Sequence, residues 1–149
     1  MTRRTVMVSA LGLVVGFALG GGAHSSPGQR LETPGVEQEL LLTAPLSQFP
    51  GKRVTVFTGT FEPGASTPIH RHPGTEFLFV LEGKGVMNIR GREPRPLTEG
   101  KAVLVQPEAG EDSFIHQAVN LDATSGMKAL VLVIHDDGTP PALPLADGH

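Results

Sequence analysis

The feature that most constrains the fold is a succession of short β-type runs separated by glycine and proline turns. Beyond the N-terminal region, about eight runs follow one another at spacings of roughly 8–12 residues. One of them, residues 53–61, alternates Val54 and Val56 against Thr55 and Phe57, which is the period of a half-buried strand. Outside the N-terminus, no helical period continues for more than a few turns. The sequence therefore predicts an all-β antiparallel sandwich or barrel rather than βαβ units.

Turn residues set the limits of the predicted strands. The strands are expected at residues 39–46, 53–61, 67–72, 76–81, 86–89, 102–106, 114–119 and 128–135. The Pro94-Arg95-Pro96 segment is predicted to be a rigid link between two strands. The predicted organisation is a signal peptide (1–23), a flexible leader (24–36), one β-barrel domain (37–138) and a Pro-rich C-terminal tail (139–149), which is either an extended strap or a loose end.

Composition excludes several kinds of site. The 149 residues allow one domain and include no cysteine. No disulfide, thiolate nucleophile or cysteine metal ligand is therefore possible, and any metal must be held by nitrogen and oxygen atoms. The net charge of −3 and the lack of a Lys/Arg run argue against a nucleic-acid partner.

Residues 1–23 have the three parts of a secretory signal peptide. Two arginines form a charged start, residues 6–19 are apolar, and Gly21 and Ala23 place small side chains at −3 and −1 of a cleavage point. As a helix the apolar stretch would be only about 21 Å long, short of the roughly 30 Å hydrocarbon core. We therefore expect cleavage near Ala23, no permanent membrane anchor, and a periplasmic or secreted protein.

The candidate chemistry lies between residues 64 and 83. Side chains two positions apart on a strand share a face, so His70 and His72 can meet one ion while Arg71 faces away. A proline-glycine pair then bends the chain and lets Glu76 turn back toward the same point. Two imidazoles and one carboxylate suit Zn, Cu, Fe, Ni or Mn.

These residues resemble the first motif of the cupin superfamily, G-x5-H-x-H-x3-E-x6-G, with every spacing met. The second motif of that superfamily has counterparts in Gly100, Pro107, Gly110, His116 and Asn120, although the spacings from the proline to the histidine are longer here. The chain looks especially like the small exported cupins that carry a signal peptide.

The resemblance implies a single cupin-type barrel, a double-stranded jelly roll, with one divalent transition metal (Fe, Mn, Ni, Cu or Zn) inside. Its ligands would be His70, His72, Glu76 and His116. Phe114 shares a face with His116 by strand parity, and it is expected either to shape the pocket wall or to pack in the core.

Other polar residues have two interpretations each. Glu111 and Asp112 form either a solvated acidic loop or a lid that carries a general base. Asn120 is expected to form a turn, with a hydrogen bond to a metal ligand as the alternative. His135 is expected at the rim of the barrel rather than among the ligands.

The function that the resemblance implies is a metal-binding cupin that acts on a small organic molecule. Four protein ligands on a six-coordinate ion leave two positions open, so dioxygenase-type chemistry is the first hypothesis. The alternatives are a non-catalytic periplasmic protein that binds a metal or small ligand, and a Lewis-acid isomerase.

Phe77, Phe79 and Leu81 would face away from Glu76 on the same strand, and this apolar row predicts a homodimer.

Overall fold

The computed structural model describes residues 33–107 and 114–145. The predicted signal peptide, most of the predicted leader, Gly110, Glu111 and Asp112 lie outside the described residues. Over these two ranges the chain forms strands and turns without a helix, which confirms the all-β class. None of the described residues forms a helix long and apolar enough to cross a membrane.

The strands are β1 (Val36–Pro45), β2 (Lys52–Phe61), β3 (His70–His72), β4 (Thr75–Glu82), β5 (Lys84–Ile89), β6 (Arg95–Thr98), β7 (Ala102–Val105), β8 (Phe114–Val119), β9 (Met127–Asp136) and β10 (Leu143–Pro144).

The strands form two five-stranded sheets with antiparallel neighbours. The order in the first sheet is β1-β2-β9-β4-β7, and the order in the second sheet is β10-β3-β8-β5-β6. Strands close in sequence, such as β3 and β4, belong to different sheets. The short predicted site segment therefore crosses from one sheet to the other.

Strict alternation of side chains decides which face of each sheet is buried. Along β9, residues 127, 129, 131, 133 and 135 are buried and the residues between them are half-buried. Along β4, Glu76, Leu78 and Val80 are buried in the same way. Inward-facing side chains of both sheets, including Val133 from the first and Met87 from the second, form one hydrophobic core, as expected for two packed sheets.

Two short strands occur where the sequence predicts none. Arg95 pairs with Met87 in the β5–β6 ladder, so the segment predicted as a rigid link is an edge strand. Leu143 pairs with Arg71 in the β3–β10 ladder, so the predicted tail continues the second sheet beyond the expected boundary at residue 138. Both strands contain proline, which edge strands tolerate because one side of the strand needs no N–H donor.

Candidate metal centre

Three histidines meet on the inner face of the second sheet. His70 on β3 lies directly opposite His116 on β8, and His72 lies two residues further along β3, on the same face. The Nε2 atom of His70 is 3.1 Å from that of His72 and 2.9 Å from that of His116. All three side chains are buried. They form a group that could hold a metal ion, with ligand atoms within 4.8 Å of one another.

Glu76 approaches the same point from the first sheet. Its Oε2 atom lies 3.2 Å from His72 Nε2 and 3.5 Å from His116 Nε2, and the residue is 2% exposed. The structure thus brings together all four side chains that the sequence predicts as ligands. Because three come from one sheet and the fourth from the other, the centre spans the interior of the barrel.

The bend at Gly74 makes this crossing possible. A Cβ atom at this position would overlap the carbonyl oxygen of Ile134, which belongs to β9. Only glycine lets the backbone pass so close to the end of β9. This close approach is what allows the chain to leave His72 on one sheet and return Glu76 on the other.

Backbone carbonyls fix the tautomers of two of the histidines. His70 Nδ1 is 2.9 Å from the carbonyl oxygen of Pro68, and His72 Nδ1 is 2.6 Å from that of Pro141. A carbonyl oxygen only accepts, so each Nδ1 carries the hydrogen and donates it. In the neutral imidazoles both Nε2 atoms then present lone pairs to each other at 3.1 Å. A cation between them removes that repulsion, and this is how metal-binding histidines are commonly oriented.

Burial shifts the protonation of the whole group toward neutral forms. Burial, with His72 nearby, lowers the pKa of His70 from 6.5 to about 4, and burial lowers the pKa of His72 to about 4. The pKa of His116 is also lowered, by burial and by the two other histidines. Burial raises the pKa of Glu76 from 4.5 to about 8. Neutral histidines are the form that a metal needs, and a bound divalent cation would favour the ionised carboxylate.

An unsatisfied buried atom also indicates that a cation fits. Among the described residues, Glu76 Oε2 has no hydrogen-bond partner although it is buried. The nearest ring nitrogen, His72 Nε2, cannot donate to it because the His72 hydrogen is on Nδ1. Oε2 therefore gains a partner in one of two ways: as a protonated carboxyl that donates to His72 Nε2 at 3.2 Å, or as a carboxylate that binds a cation. A buried polar atom without a partner is costly. Three imidazoles and one carboxylate fit Fe, Mn, Ni, Cu or Zn without distinguishing among them.

The centre opens onto a cavity of about 760 Å³ inside the barrel. This volume falls within the roughly 300–1,000 Å³ of small-molecule sites. The apolar part of its wall includes Leu40, Phe57, Phe61, Leu78, Ala118, Ala129 and Val131. Residues 137–142, which we call the C-terminal strap, cover one side of the cavity.

Phe114 does not occupy the predicted position in the pocket wall. It pairs with His72 across the β3–β8 ladder and is buried in the hydrophobic core, but it is not among the residues that line the cavity. Its ring centroid lies 5.2 Å from that of His116. Phe114 therefore packs beside the His116 ring, which agrees with the core-packing alternative.

Asn120 ties loops together rather than contacting the histidines. Its Nδ2 donates to the carbonyl oxygens of Glu62 and Ser125 at 2.9 and 2.8 Å, and its Oδ1 accepts from the backbone N–H of Asp122 at 3.0 Å. These hydrogen bonds agree with the predicted turn-forming role.

The prediction of a rim position for His135 is wrong. The side chain is 2% exposed and lines the cavity, because it continues the inward parity of Val131 and Val133 along β9. Its Nε2 lies 2.9 Å from the hydroxyl of Thr55. As expected, it is outside the group of three histidines that could hold a metal. The strand parity could have indicated its inward orientation from the sequence.

Two facing antiparallel sheets with three histidines and a glutamate converging between them define a cupin-type barrel. Residues 57–133, more than half of the chain, match the family described as Cupin domain. The chain belongs to this family, which confirms the resemblance seen in the sequence.

Several known proteins are similar to parts of the chain. Auxin-binding protein 5 of Zea mays is 53% identical over 36 residues, which are 24% of this chain and 24% of the maize protein. The matched segment spans no more than about a quarter of the curated relatives. The crystal structure of a cupin-like protein from Thermotoga maritima superposes with a TM-score of 0.58 at 27% identity, covering 74% of this chain and 76% of that chain. A recombinant oxalate oxidase in complex with glycolate has a TM-score of 0.55 at 20% identity over 79% of this chain and 59% of that chain, which shows a shared fold alone.

Proposed function

We propose that this protein is a metal-dependent enzyme with dioxygenase-type activity on a small organic molecule held in the barrel cavity. The observation that carries this proposal is the convergence of three histidine Nε2 atoms and a buried glutamate oxygen at the wall of a mostly apolar cavity. Family membership supports metal binding in general. It leaves the reaction open, because one fold carries many activities.

The residues of the chain would perform three tasks. His70 and His72 present lone pairs in fixed directions because Pro68 and Pro141 hold their Nδ1–H groups. Glu76 would supply the single negative charge of the donor set. His116 would complete the donor set that holds a divalent transition metal, and the bound metal would supply Lewis-acid or one-electron chemistry.

The cavity wall would hold the organic molecule and exclude water. Phe57, Leu78 and Val131 present apolar surface to the same cavity as the four candidate ligands, and burial of an apolar group there is favourable. Thr55 and His135 lie in the same wall and are joined by a hydrogen bond of 2.9 Å. Among the described residues that line the cavity, His135 is the one histidine outside the candidate ligand set, and it could accept or donate a proton there.

A second candidate is a non-catalytic protein that binds a small ligand. One observation favours it: the maize relative is named for binding a small molecule rather than for a reaction. In this case the metal and the cavity would form a binding site without turnover.

Metal analysis and oxygen uptake separate the two candidates. The exported protein would be purified without added metal, analysed for metal content, and screened for oxygen consumption with small organic acids, phenols and thiols. We expect a redox-active ion, and oxygen uptake that disappears in His72→Ala. A redox-inert ion combined with no uptake in any reaction would contradict the enzyme and favour the binding protein.

A further inference from the structure

A row of hydrogen-bonded polar side chains lines the cavity on the first sheet. Arg53 and Thr55 lie on β2, Thr43 lies opposite Thr55 on β1, and His135 lies opposite Arg53 on β9. Arg53 Nη1 is 3.2 Å from Thr43 Oγ1, the two threonine hydroxyls are 3.2 Å apart, and Thr55 Oγ1 is 2.9 Å from His135 Nε2. All four residues line the cavity.

The hydrogen bonds of this row all run in one direction. Arginine only donates, so Thr43 accepts from Arg53 and its hydroxyl is left to donate to Thr55. Thr55 then donates to His135 Nε2, because His135 Nδ1 faces the carbonyl oxygen of Asp136 at 3.1 Å and must carry the ring hydrogen. The row therefore holds the Arg53 guanidinium in a fixed orientation at the cavity wall.

Arg53 already binds one carboxylate at this position. Its Nε donates to Asp137 Oδ1 at 2.9 Å, and Asp137 belongs to the C-terminal strap. The Asp137 side chain is 53% exposed, and exposed ion pairs contribute little to stability. A guanidinium has five N–H donors, and the hydrogen bonds to Asp137 and Thr43 use one each. Arg53 is therefore placed to bind a carboxylate, and the carboxylate that it binds now, Asp137, is weakly held.

Charge distinguishes this part of the wall from the rest. Arg53 is the only lysine or arginine among the described residues that line the cavity. Phe57, further along the same face of β2, and Leu40, opposite Phe57 on β1, line the same cavity and are apolar. A permanently charged guanidinium at the edge of an apolar cavity favours a ligand with one anionic group and an apolar body.

We propose that Arg53, oriented by Thr43, is a carboxylate-binding residue and that the cavity takes a small organic acid. The carboxylate of the ligand displaces Asp137 from the guanidinium, and the apolar part of the ligand extends along Phe57 and Leu40. Only the conversion of the acid as a substrate would depend on the proposed function. Binding of the acid at Arg53 requires no metal.

A matched pair of probes tests the assignment. 3-Phenylpropionate and 3-phenylpropionamide have nearly the same shape and differ in charge, and titration calorimetry on the metal-loaded protein measures both. We expect the parent to bind the acid about tenfold or more tightly than the amide, as a charge-assisted hydrogen bond would provide. Arg53→Gln should reduce this preference to about twofold or less.

A neighbouring ion pair supplies the control. Lys52 pairs with Asp136 at 2.6 Å, one residue before Arg53 and with its side chain on the outward face of the same strand. Lys52→Gln removes the same charge from the protein and should leave the preference unchanged. Asp137→Asn should tighten binding of the acid several-fold, because it removes the competing carboxylate. Weaker binding of the acid by Asp137→Asn would overturn the proposal, and this variant does not depend on the folding of Arg53→Gln.

The same titration on metal-free His72→Ala separates this subsite from the metal centre. Binding at Arg53 predicts that the preference for the acid remains in this variant. A preference that is lost in His72→Ala but kept in Arg53→Gln would place the carboxylate at the metal, which overturns the subsite and leaves the proposed function intact. A preference that remains while no oxygen uptake is found would support the subsite without the dioxygenase. Equal affinity for acid and amide in the parent, or binding of neither, would also overturn the subsite.

Discussion

Two proline carbonyls prepare the histidine pair at the centre for a cation. The carbonyls of Pro68 and Pro141 hold the Nδ1–H groups of His70 and His72, so the two Nε2 atoms face each other with lone pairs. Neither ring can turn away without leaving a buried donor unpaired, which is costly. A metal ion between the ligand atoms would relieve the repulsion of the two lone pairs.

Removal of His72 should reduce metal binding strongly, whereas removal of its neighbour should not. His72→Ala deletes a buried ligand, and loss of even an outer hydrogen-bond partner costs roughly 10–100-fold in metal affinity. Arg71→Ala changes a side chain on the opposite, outward face of β3 and should leave the metal content unchanged. Elemental analysis of the two variants and the parent is the measurement. Equal metal in His72→Ala and the parent would exclude the site.

His116 tests whether the lengthened second motif still delivers a ligand. His116→Ala should lose metal as His72→Ala does, because the His116 Nε2 atom lies as close to the centre as that of His72. Full occupancy in His116→Ala alone, by the same elemental analysis, would indicate a three-ligand site made of His70, His72 and Glu76.

The stability of the metal-free protein should depend on pH in two opposite ways. The pKa of His70 is lowered to about 4, because the folded protein favours the neutral ring. The contribution of His70 to the free energy of unfolding is therefore complete above about pH 6.5 and is lost as the pH falls through about 4. The pKa of Glu76 is raised to about 8, because the folded protein favours the protonated carboxyl. The contribution of Glu76 to the free energy of unfolding is therefore complete below about pH 4.5 and is lost as the pH rises through about 8. We expect the free energy of unfolding to fall between pH 6 and pH 8.5 by a few kcal/mol, since one pKa unit is about 1.4 kcal/mol.

Urea unfolding in the presence of a chelator measures this dependence. Glu76→Gln should remove the fall between pH 6 and pH 8.5, and Glu82→Gln, at the exposed end of the same strand, should retain it. A metal that binds the ionised Glu76 should also remove the fall in the parent. Parallel pH profiles for the parent and Glu76→Gln would show that Glu76 is not the titrating group.

Sequence reasoning located the four candidate ligands but not the groups around them. Strand parity places His70 and His72 on one face, and the proline-glycine bend after them can return Glu76 to the same point. His116 was predicted from the resemblance to the second cupin motif. The hydrogen bonds from His72 to Pro141 and from Thr55 to His135 join residues 69 and 80 positions apart. Such partners depend on which strands pair, and a single sequence does not specify that pairing.

At the scale of elements, the C-terminal strap links the cavity wall to the metal centre. Pro141 contributes its carbonyl to His72, Ala142 is buried, and β10 extends the second sheet next to β3. The strap thus acts on the centre through a backbone atom. The sequence did not predict β10, which follows the strap, because a short proline-containing edge strand lacks the apolar alternation that predicts longer strands.

Deletion of residues 140–149 should weaken metal binding although it removes no candidate ligand. His72 Nδ1 would lose its acceptor, and a cost of roughly 10–100-fold in metal affinity is expected. Pro141→Ala is the matched control, because it keeps the backbone carbonyl and should keep the affinity within about threefold. Metal titration with a competing chelator measures both. Unchanged affinity in the deletion would show that the strap does not orient His72.

At the scale of the whole molecule, the N-terminus predicts export. Residues 1–23 lie outside the described residues, and their charged start, apolar stretch and small residues Gly21 and Ala23 are those of a cleaved signal peptide. We expect a mature protein that begins at His24 in the periplasm or the medium. N-terminal sequencing of the natively produced protein tests this, and an intact Met1 on protein held in the inner membrane would contradict it.

The outward face of the first sheet leads to the prediction of a homodimer. Phe77, Phe79 and Leu81 are exposed by 44, 39 and 38% and alternate with buried residues of β4, as strand parity predicts. Leu104 lies opposite Phe77 on β7 and is 43% exposed, so the apolar row continues onto the next strand. Contiguous exposed apolar surface of this kind is characteristic of association sites.

A second copy of the chain is the expected partner, because an apolar sheet face can pack against an identical face around a two-fold axis. Phe79→Glu places a charge in the middle of this face and should convert the dimer to a monomer at micromolar concentration, since an unpaired buried charge is costly. Asn88→Glu adds the same charge at an exposed position of β5 in the other sheet and should leave the dimer intact. Light scattering at several concentrations measures the mass of the parent and of both variants. A monomeric parent, together with no effect of Phe79→Glu on mass or stability, would mean that the face is exposed in the native protein.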